Sequence, residues 1–422
     1  MKGSFLLIIL SLLTAPLIAQ IPDSLSLAVA LETVWKNDPS LQSRKALIGA
    51  AEAGYLENRS AYFPTLVAHA MHRELFYNAF NYREESAGLA AEWSPGNWLR
   101  KSAAADEAEI AVAGAAAEER RLVLTRKTLD LYVGILQQNY RLKRLQNNLA
   151  VLGKHGEVAR ALWEAGVRTE LDVLQTEIRL SQVQEEVLTT QSQLDILKRE
   201  LAMLQGRNPE TDFSLRAFTT NVDDLDSLIA RQQKTAAPEN NPTLRKTLEE
   251  QRAENLRLGK VSATAFPVFQ LDGGMVVDRD PTANGNYGQI SLAMQLPLFE
   301  WGNRRYRRRK IFETSRALSL QYAGQERETL AEAGQLFEEA HGLSQTYHQQ
   351  RFRLAISQKA SDLATLNYQA GLLTNLEFLA AQNELNSARI QVEETRLALL
   401  LKVANYCALT GDISKITAFQ EN

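Results

Sequence analysis

The sequence predicts a mainly helical chain built twice over, with a β-hairpin set into each half. Three observations carry this expectation: landmarks that recur at a nearly fixed offset, long helical stretches with a heptad seam, and two segments per half that alternate apolar and polar residues. The clearest landmark is Glu164-Ala-Gly-Val-Arg-Thr-Glu-Leu-Asp-Val-Leu174, which returns as Gln369-Ala-Gly-Leu-Leu-Thr-Asn-Leu-Glu-Phe-Leu379, 205 residues on. Asn37-Asp-Pro-Ser-Leu41 returns as Asn240-Asn-Pro-Thr-Leu244, and Phe63-Pro64 as Phe266-Pro267, both 203 residues on. Gly96-Asn97 returns as Gly302-Asn303 at 206, and Leu204-Gln-Gly-Arg207 as Leu409-Thr-Gly-Asp412 at 205. Five landmarks in one order mark a tandem duplication.

Each half is expected to have one internal plan. A helix of about 20 residues comes first, over 40–60 and 243–263, where the apolar spacing is helical. A proline-bounded segment follows, over 64–95 and 267–297. Within it Ile290, Leu292, Met294 and Leu296 alternate with Gln289, Ser291, Ala293 and Gln295. Phe269, Leu271, Met275 and Val277 share one side of the preceding strand, and Asp278–Asn286 is a turn-rich loop. Two strands of about 10 residues with one apolar face fit a membrane β-hairpin; the first-half pair, 65–74 and 86–93, has a less regular pattern. A very long helix is expected next, over 101–163 and 304–368, and a returning helix over 169–205 and 374–410. The returning helix carries Leu180, Val183, Val187, Thr190, Leu194, Leu197, Leu201 and Leu204 at steps of three and four, a coiled-coil seam. Its copy runs Leu385, Ala388, Val392, Thr395, Leu399, Lys402, Tyr406 and Leu409. At 1.5 Å per residue the outgoing helix exceeds the returning one by about 35 Å, close to the length of the short first helix. End-to-end stacking of the short and returning helices would even the lengths.

The division expected along the chain is a leader (1–19), a first repeat (20–207), a linker (208–239), a second repeat (240–412) and a tail (413–422). Lys2, the apolar run Phe5–Leu13 and the small residues ending at Ala19 have the layout of a secretory signal peptide. The single cysteine, Cys407, rules out an intrachain disulfide. After the leader no apolar run reaches the roughly 20 residues of a membrane-spanning helix. A net charge of −3 gives no overall attraction to nucleic acid. No metalloprotease, phosphate-loop, nucleophile-elbow or dinucleotide motif occurs, and the five histidines form no ligand set with the cysteine, so neither an enzyme, a metal site nor a cofactor is expected.

Trp93, Trp98, Phe299 and Trp301 cluster where strands give way to helices, the depth at which aromatic side chains meet a membrane interface. Two hairpins supply four strands. Four strands cannot close a barrel, and lipid does not tolerate open sheet edges, so several chains must pool their strands. Arg304-Arg-Tyr-Arg-Arg-Arg-Lys310 places six basic residues at a helix start, against the dipole. It reads either as a solvated face or as a contact with acidic lipid headgroups.

The duplicated Asn-(Asn/Asp)-Pro-x-Leu start, the Phe-Pro opening each hairpin, Leu296-Pro-Leu-Phe-Glu-Trp-Gly-Asn-Arg304, the Ala-Gly-x-x-Thr-x-Leu-(Asp/Glu) turns and the terminal Leu-x-Gly together resemble the TolC-type outer-membrane efflux proteins, over essentially the whole mature chain. The resemblance implies a homotrimer in the outer membrane. Its twelve strands would form a β-barrel and its helices a periplasmic tunnel, docked to a periplasmic adaptor and an inner-membrane transporter of the resistance-nodulation-division or ABC type. Either small-molecule efflux, of drugs or metal ions, or type I protein secretion is compatible. A periplasmic adaptor or a secreted coiled-coil protein would leave the duplication and hairpins unexplained.

The resemblance also implies site residues. The two turns become the tunnel tip, where Gly166, Val167, Thr169, Gly371, Leu372 and Thr374 would meet the adaptor. Asp172 and Tyr368 match a hydrogen-bonded pair that helps hold the tunnel shut, and Glu377 matches a carboxylate ringing the constriction. A second ring carboxylate of the family is Ala380 here, and a tip-loop arginine is Leu373. Independently of the resemblance, three identical carboxylates around an axis would repel one another and favour cations.

Overall fold

The computed structural model describes residues 24–76, 81–99, 103–225, 227, 240–279 and 285–412. The expected leader, the distal linker from 228, the C-terminal tail and part of the 278–286 loop lie outside these residues. The elements are α1 (Leu27–Asn37), α2 (Pro39–Ser60), β1 (Thr65–Phe76), β2 (Asn81–Trp93), α3 (Pro95–Leu99), α4 (Ala104–Glu164) and α5 (Glu170–Leu204). They continue as α6 (Pro242–Ala263), β3 (Val268–Arg279), β4 (Gly285–Gln295), α7 (Asn303–Gln369) and α8 (Asn375–Leu409). From α2 and from α6 onward the order of long elements is the same, apart from the short α3. Among the described residues no helix is long and apolar enough to cross a membrane.

The long helices form two antiparallel hairpins, α4 with α5 and α7 with α8. With 61 residues, α4 is about 90 Å long; α5 with 35 and α2 with 22 are about 50 and 33 Å. α2 lies along α4 beyond the end of α5, so the expected end-to-end stacking is present. Its joint is made by side chains. In the first half Asn37 donates its amide to the Gln205 carbonyl at the end of α5 (2.8 Å), while Asp38 caps α2 through the Leu41 N–H (2.9 Å). In the second half Asn241 does both, donating to the Leu409 carbonyl (3.0 Å) and accepting from the Thr243 and Leu244 N–H groups (2.9 and 3.3 Å). Proline at the first helical position of α2 and α6 costs no hydrogen bond and restrains the preceding residue to the extended geometry a cap needs.

The heptad seam packs as the pattern predicts. Val183, Thr190, Leu194 and Leu201 on α5 are buried, as are Leu385, Ala388, Leu399, Tyr406 and Leu409 on α8. Lys402, the weak position of the second seam, is held by an ion pair to Glu339 of α7 (2.6 Å). The largest apolar cluster lies midway along the helices, where α1 and the proximal linker wrap them. Tyr132, fully buried on α4, donates its hydroxyl to the Leu25 and Arg216 carbonyls (2.8 and 2.7 Å). Leu25 and Leu215 form a parallel bridge, so the two chain segments are clamped side by side over this core.

The strands form one antiparallel sheet in the order β1-β2-β3-β4. Its register aligns the apolar positions of all four strands. Leu66, Ala91, Leu271 and Leu292 make one row; Trp93, Phe269 and Met294 and then Ala68, Leu89 and Ile290 flank it on the same face. The opposite face carries Glu92, Gln270, Asp272, Ser291 and Gln289. Leu292 is 72 % and Ile290 86 % exposed, so this chain alone leaves the apolar face uncovered. At the seam between the halves Gly88 opposes Gly274, and a Cβ on Gly88 would lie 2.8 Å from the Gly274 Cα. Only glycine fits so close a backbone approach.

Replacing Asn241 with Ala removes a helix cap and a buried inter-helix hydrogen bond together. The expected loss is about 2 kcal/mol in denaturant midpoint experiments, against about 1 kcal/mol for Asn37→Ala, whose neighbour Asp38 keeps the cap. Equal losses at the two positions would show that Asn241 does not do both jobs.

Candidate functional site at the helical tips

Both hairpins turn in the same way. α4 ends at Glu164, Gly166 takes φ 70°, and its N–H and that of Val167 donate to the Trp163 and Leu162 carbonyls (2.8 and 2.9 Å). In the second hairpin Gly371 takes φ 76°, and Gly371 and Leu372 donate to the Tyr368 and Asn367 carbonyls (3.1 and 2.9 Å). This pattern needs a left-handed residue just past the helix, which glycine supplies without strain. The next helix starts with a reciprocal cap. Thr169 accepts from the Asp172 N–H while Asp172 Oδ2 accepts from the Thr169 N–H (both 3.3 Å). Thr374 and Glu377 repeat it, with Glu377 Oε2 accepting from both the Thr374 N–H (2.9 Å) and its hydroxyl (2.7 Å).

These caps define the chemistry of the carboxylates. Glu377 is exposed, and the Thr374 hydroxyl followed by its backbone N–H holds its pKa below the usual glutamate value. It is therefore ionised at neutral pH, near the positive end of the α8 dipole. Val167 and Leu372 project from the turns, 67 % and 78 % exposed, as paired apolar knobs.

The expected Asp172–Tyr368 hydrogen bond is absent. Asp172 is engaged by its own cap, and the Tyr368 hydroxyl is buried with no hydrogen-bond partner among the described residues. The Tyr368 ring is packed instead. It lies 4.9 Å from the His155 ring and 5.1 Å from Phe378, and the Arg168 guanidinium sits 4.8 Å from its centre. Burial, with the Asp172 charge adding to it against the opposing pull of Arg168, raises the Tyr368 pKa, so the phenol stays neutral.

A different polar group joins the hairpins. Asn375, wholly buried in the first turn of α8, donates to the Asp172 carbonyl (2.9 Å) and reaches Thr176 Oγ1 (3.2 Å), both on α5. Its Oδ1 meets His155 Nε2 on α4 (2.7 Å), which fixes the histidine as the Nε2–H tautomer. Arg168 adds a hydrogen bond to the Leu373 carbonyl across the tips (3.0 Å). His155, Asn375, Thr176 and Arg168 are absent from the expectations above. Their signal lies in asymmetry between the copies: at the 205-residue offset His155 faces Ala360, Arg168 faces Leu373, and Asn375 faces Glu170.

The remaining site residues lie at the other end of the long helices. Trp93 donates its indole N–H to the Tyr62 carbonyl (3.0 Å) and packs near Phe269. Trp98 lines a cleft of about 490 Å³ with Tyr55, Arg59 and Tyr62. Phe299 and Trp301 stack edge to face with centroids 4.9 Å apart. Among the described residues no group of three His, Cys, Asp or Glu side chains could hold a metal ion.

Burial lowers the His155 pKa, opposed by the Asn375 hydrogen bond and the Asp172 charge. An opened tip would take up a proton at about pH 6.5, before the closed one does, so closure is fully supported above that pH and weakens as pH falls below it. Hydrogen exchange over 155–176 and 368–378 is expected to speed up between pH 7 and 5 relative to His155→Gln, and identical pH profiles would contradict the assignment. Tyr368→Phe should change stability by less than about 0.5 kcal/mol, because no hydrogen bond is lost.

Comparison with known proteins agrees with this fold. A search of curated protein sequences finds no match. Among solved structures, the outer-membrane channel OprN superposes with a TM-score of 0.75 at 20 % identity, covering 92 % of this chain and 90 % of its own. The outer membrane protein VceC from Vibrio cholerae gives 0.75 at 20 % identity, covering 92 % and 96 %. The MtrE channel of Neisseria gonorrhoeae in its open state gives 0.74 at 17 %, covering 92 % and 89 %. The family model described as outer membrane efflux protein matches residues 30–207 and 235–412, one segment for each half. The chain belongs to the outer membrane efflux protein family: it is an outer-membrane transport protein, not an enzyme.

Proposed function

We propose that three copies of this chain form a channel that carries small molecules, drugs or metal ions, across the outer membrane. The observation that supports this best is the four-stranded sheet. It has one apolar face and two edge strands, β1 and β4, each paired on one side only among the described residues. In hydrocarbon those edges must be satisfied, and joining β4 of one copy to β1 of the next satisfies them. Three copies give twelve strands, enough for a barrel with an open lumen lined by the polar face.

The helices extend the same passage. Their length, about 90 Å, suits a tunnel crossing most of the periplasm rather than a compact domain. The tips then become the entrance. Val167 and Leu372 offer apolar knobs to a periplasmic adaptor, which couples the tunnel to an inner-membrane pump of the resistance-nodulation-division or ABC type. Gly166 and Gly371 set the turns that present those knobs, and Thr169 and Thr374 fix the helix starts behind them. Glu377 is the carboxylate of the constriction ring: exposed, ionised and held by its cap. No protein group here performs covalent chemistry; the pump supplies the energy, and the duct supplies a route and a selective entrance.

In planar bilayers the purified protein is expected to conduct with a preference for cations. Glu377→Ala should lower that preference several-fold, since each charge removed from the ring weakens cation attraction in a site of low effective dielectric. Thr374→Ala should also disturb it by freeing the carboxylate. Unchanged selectivity in both variants would remove Glu377 from the constriction while leaving the channel reading intact.

A further inference from the structure

The junction between β4 and α7 carries a charge pattern that the channel reading does not use. α7 begins with no acidic residue in its first turn, against its own dipole, whereas α4 at the equivalent place begins with Asp106 and Glu107. Of the basic side chains there, Arg304 is paired with Glu300 (2.9 Å). Arg305, Arg307, Arg308, Arg309 and Lys310 are all exposed and have no ion pair among the described residues. Ile311 is buried against the bundle, and Arg305 and Arg309, one turn apart, project away from it. Five exposed like charges on less than two turns repel one another, and an anion beside them relieves that repulsion.

Immediately before this run the chain presents an apolar knuckle. Trp301 is the one non-glycine residue with positive φ (49°) among the described residues, and it stands 86 % exposed beside Phe299 at 71 %. A left-handed tryptophan stores backbone strain, which is retained where an outward-held side chain has a use. The knuckle continues the exposed apolar face of β4.

We propose that this junction binds the anionic headgroups of phospholipids in the leaflet beneath the barrel. Phe299 and Trp301 enter the interfacial layer, and the basic side chains between Arg305 and Lys310 hold the phosphates. Lipid fits better than a second copy of the chain as the occupant. At this height Asp106 and Glu109 are already committed within the chain to Lys260 and Arg257, which leaves Glu107 as the one exposed first-turn acid of α4 against five unpaired cations, and the patch is continuous with the apolar face of the sheet.

The test uses the full-length protein in phosphatidylethanolamine vesicles, with and without added phosphatidylglycerol. Phosphatidylglycerol should raise the melting temperature and be retained through purification. Retention should fall about fivefold for each charge removed in the Arg307→Gln, Arg308→Gln, Arg309→Gln, Lys310→Gln series. It should also be lost near 1 M salt, where the screening length is about 3 Å. Arg→Lys changes at 307, 308 and 309 keep the charge and should preserve the effect, which controls for folding. Three results would overturn the proposal: no response to phosphatidylglycerol in the unaltered protein, a response that survives the Gln series, or equal destabilisation by that series in both vesicles, which would place the charges at a contact between copies.

Discussion

A backbone N–H or C=O in hydrocarbon has no water to bond, and the rest of this molecule follows from that requirement. A four-stranded sheet with one largely apolar face cannot stand in lipid by itself, because its two edges would each leave a row of unpaired groups. In the proposed assembly, closure with other copies would resolve the edges. It would also constrain what lies below, since the chain would leave the sheet at fixed points around the barrel and continue as helices at comparable spacing. The joint at Asn37, Asp38 and Asn241 then matters structurally: it sets two shorter helices end to end against a long one, which brings the strands to comparable length. Without that match the helical wall would be ragged at one end.

Much of this was legible in the sequence, for particular reasons. The long helices and their returns were readable because a heptad sustained over eight positions has no other use, and Val183, Thr190, Leu194 and Leu201 are buried as the register requires. β3 and β4 were readable because their alternation is strict. β1 and β2 were less so: His72 and Glu85 pair within the apolar register (3.4 Å), and Glu74 and Arg83 do the same further out (3.1 Å), which interrupts the pattern without interrupting the strands. Lys402 looked like a flaw in the second seam because its partner, Glu339, lies 63 positions earlier on another helix.

The tip was harder to read. The turns and caps are local, so Gly166, Gly371, Thr169 and Thr374 announce themselves. The contact that joins the hairpins is not local: His155 and Asn375 are 220 residues apart, His155 lies outside the recurring motifs, and Asn375 fills a variable position of the tip motif. Resemblance implies a hydrogen-bonded pair, Asp172 with Tyr368, and in this structure the two are not hydrogen-bonded to each other. Here Asp172 contributes its backbone carbonyl to Asn375 and its carboxylate to its own cap, and Tyr368 contributes its ring. Duplication itself holds the missing information. Where two copies share a residue the cause is architecture common to both hairpins; where they differ at His155, about three turns before the tip, and at Arg168 and Asn375 beside it, the residues make the contact between hairpins.

The central claim is that three chains complete one barrel. The most direct measurement is the mass of the complex extracted from the outer membrane in mild detergent, by light scattering corrected for bound detergent. Three chains per particle, dissociating to single chains only on heating, is the predicted result. A particle containing one chain or two would leave the edges of β1 and β4 unsatisfied and contradict the account.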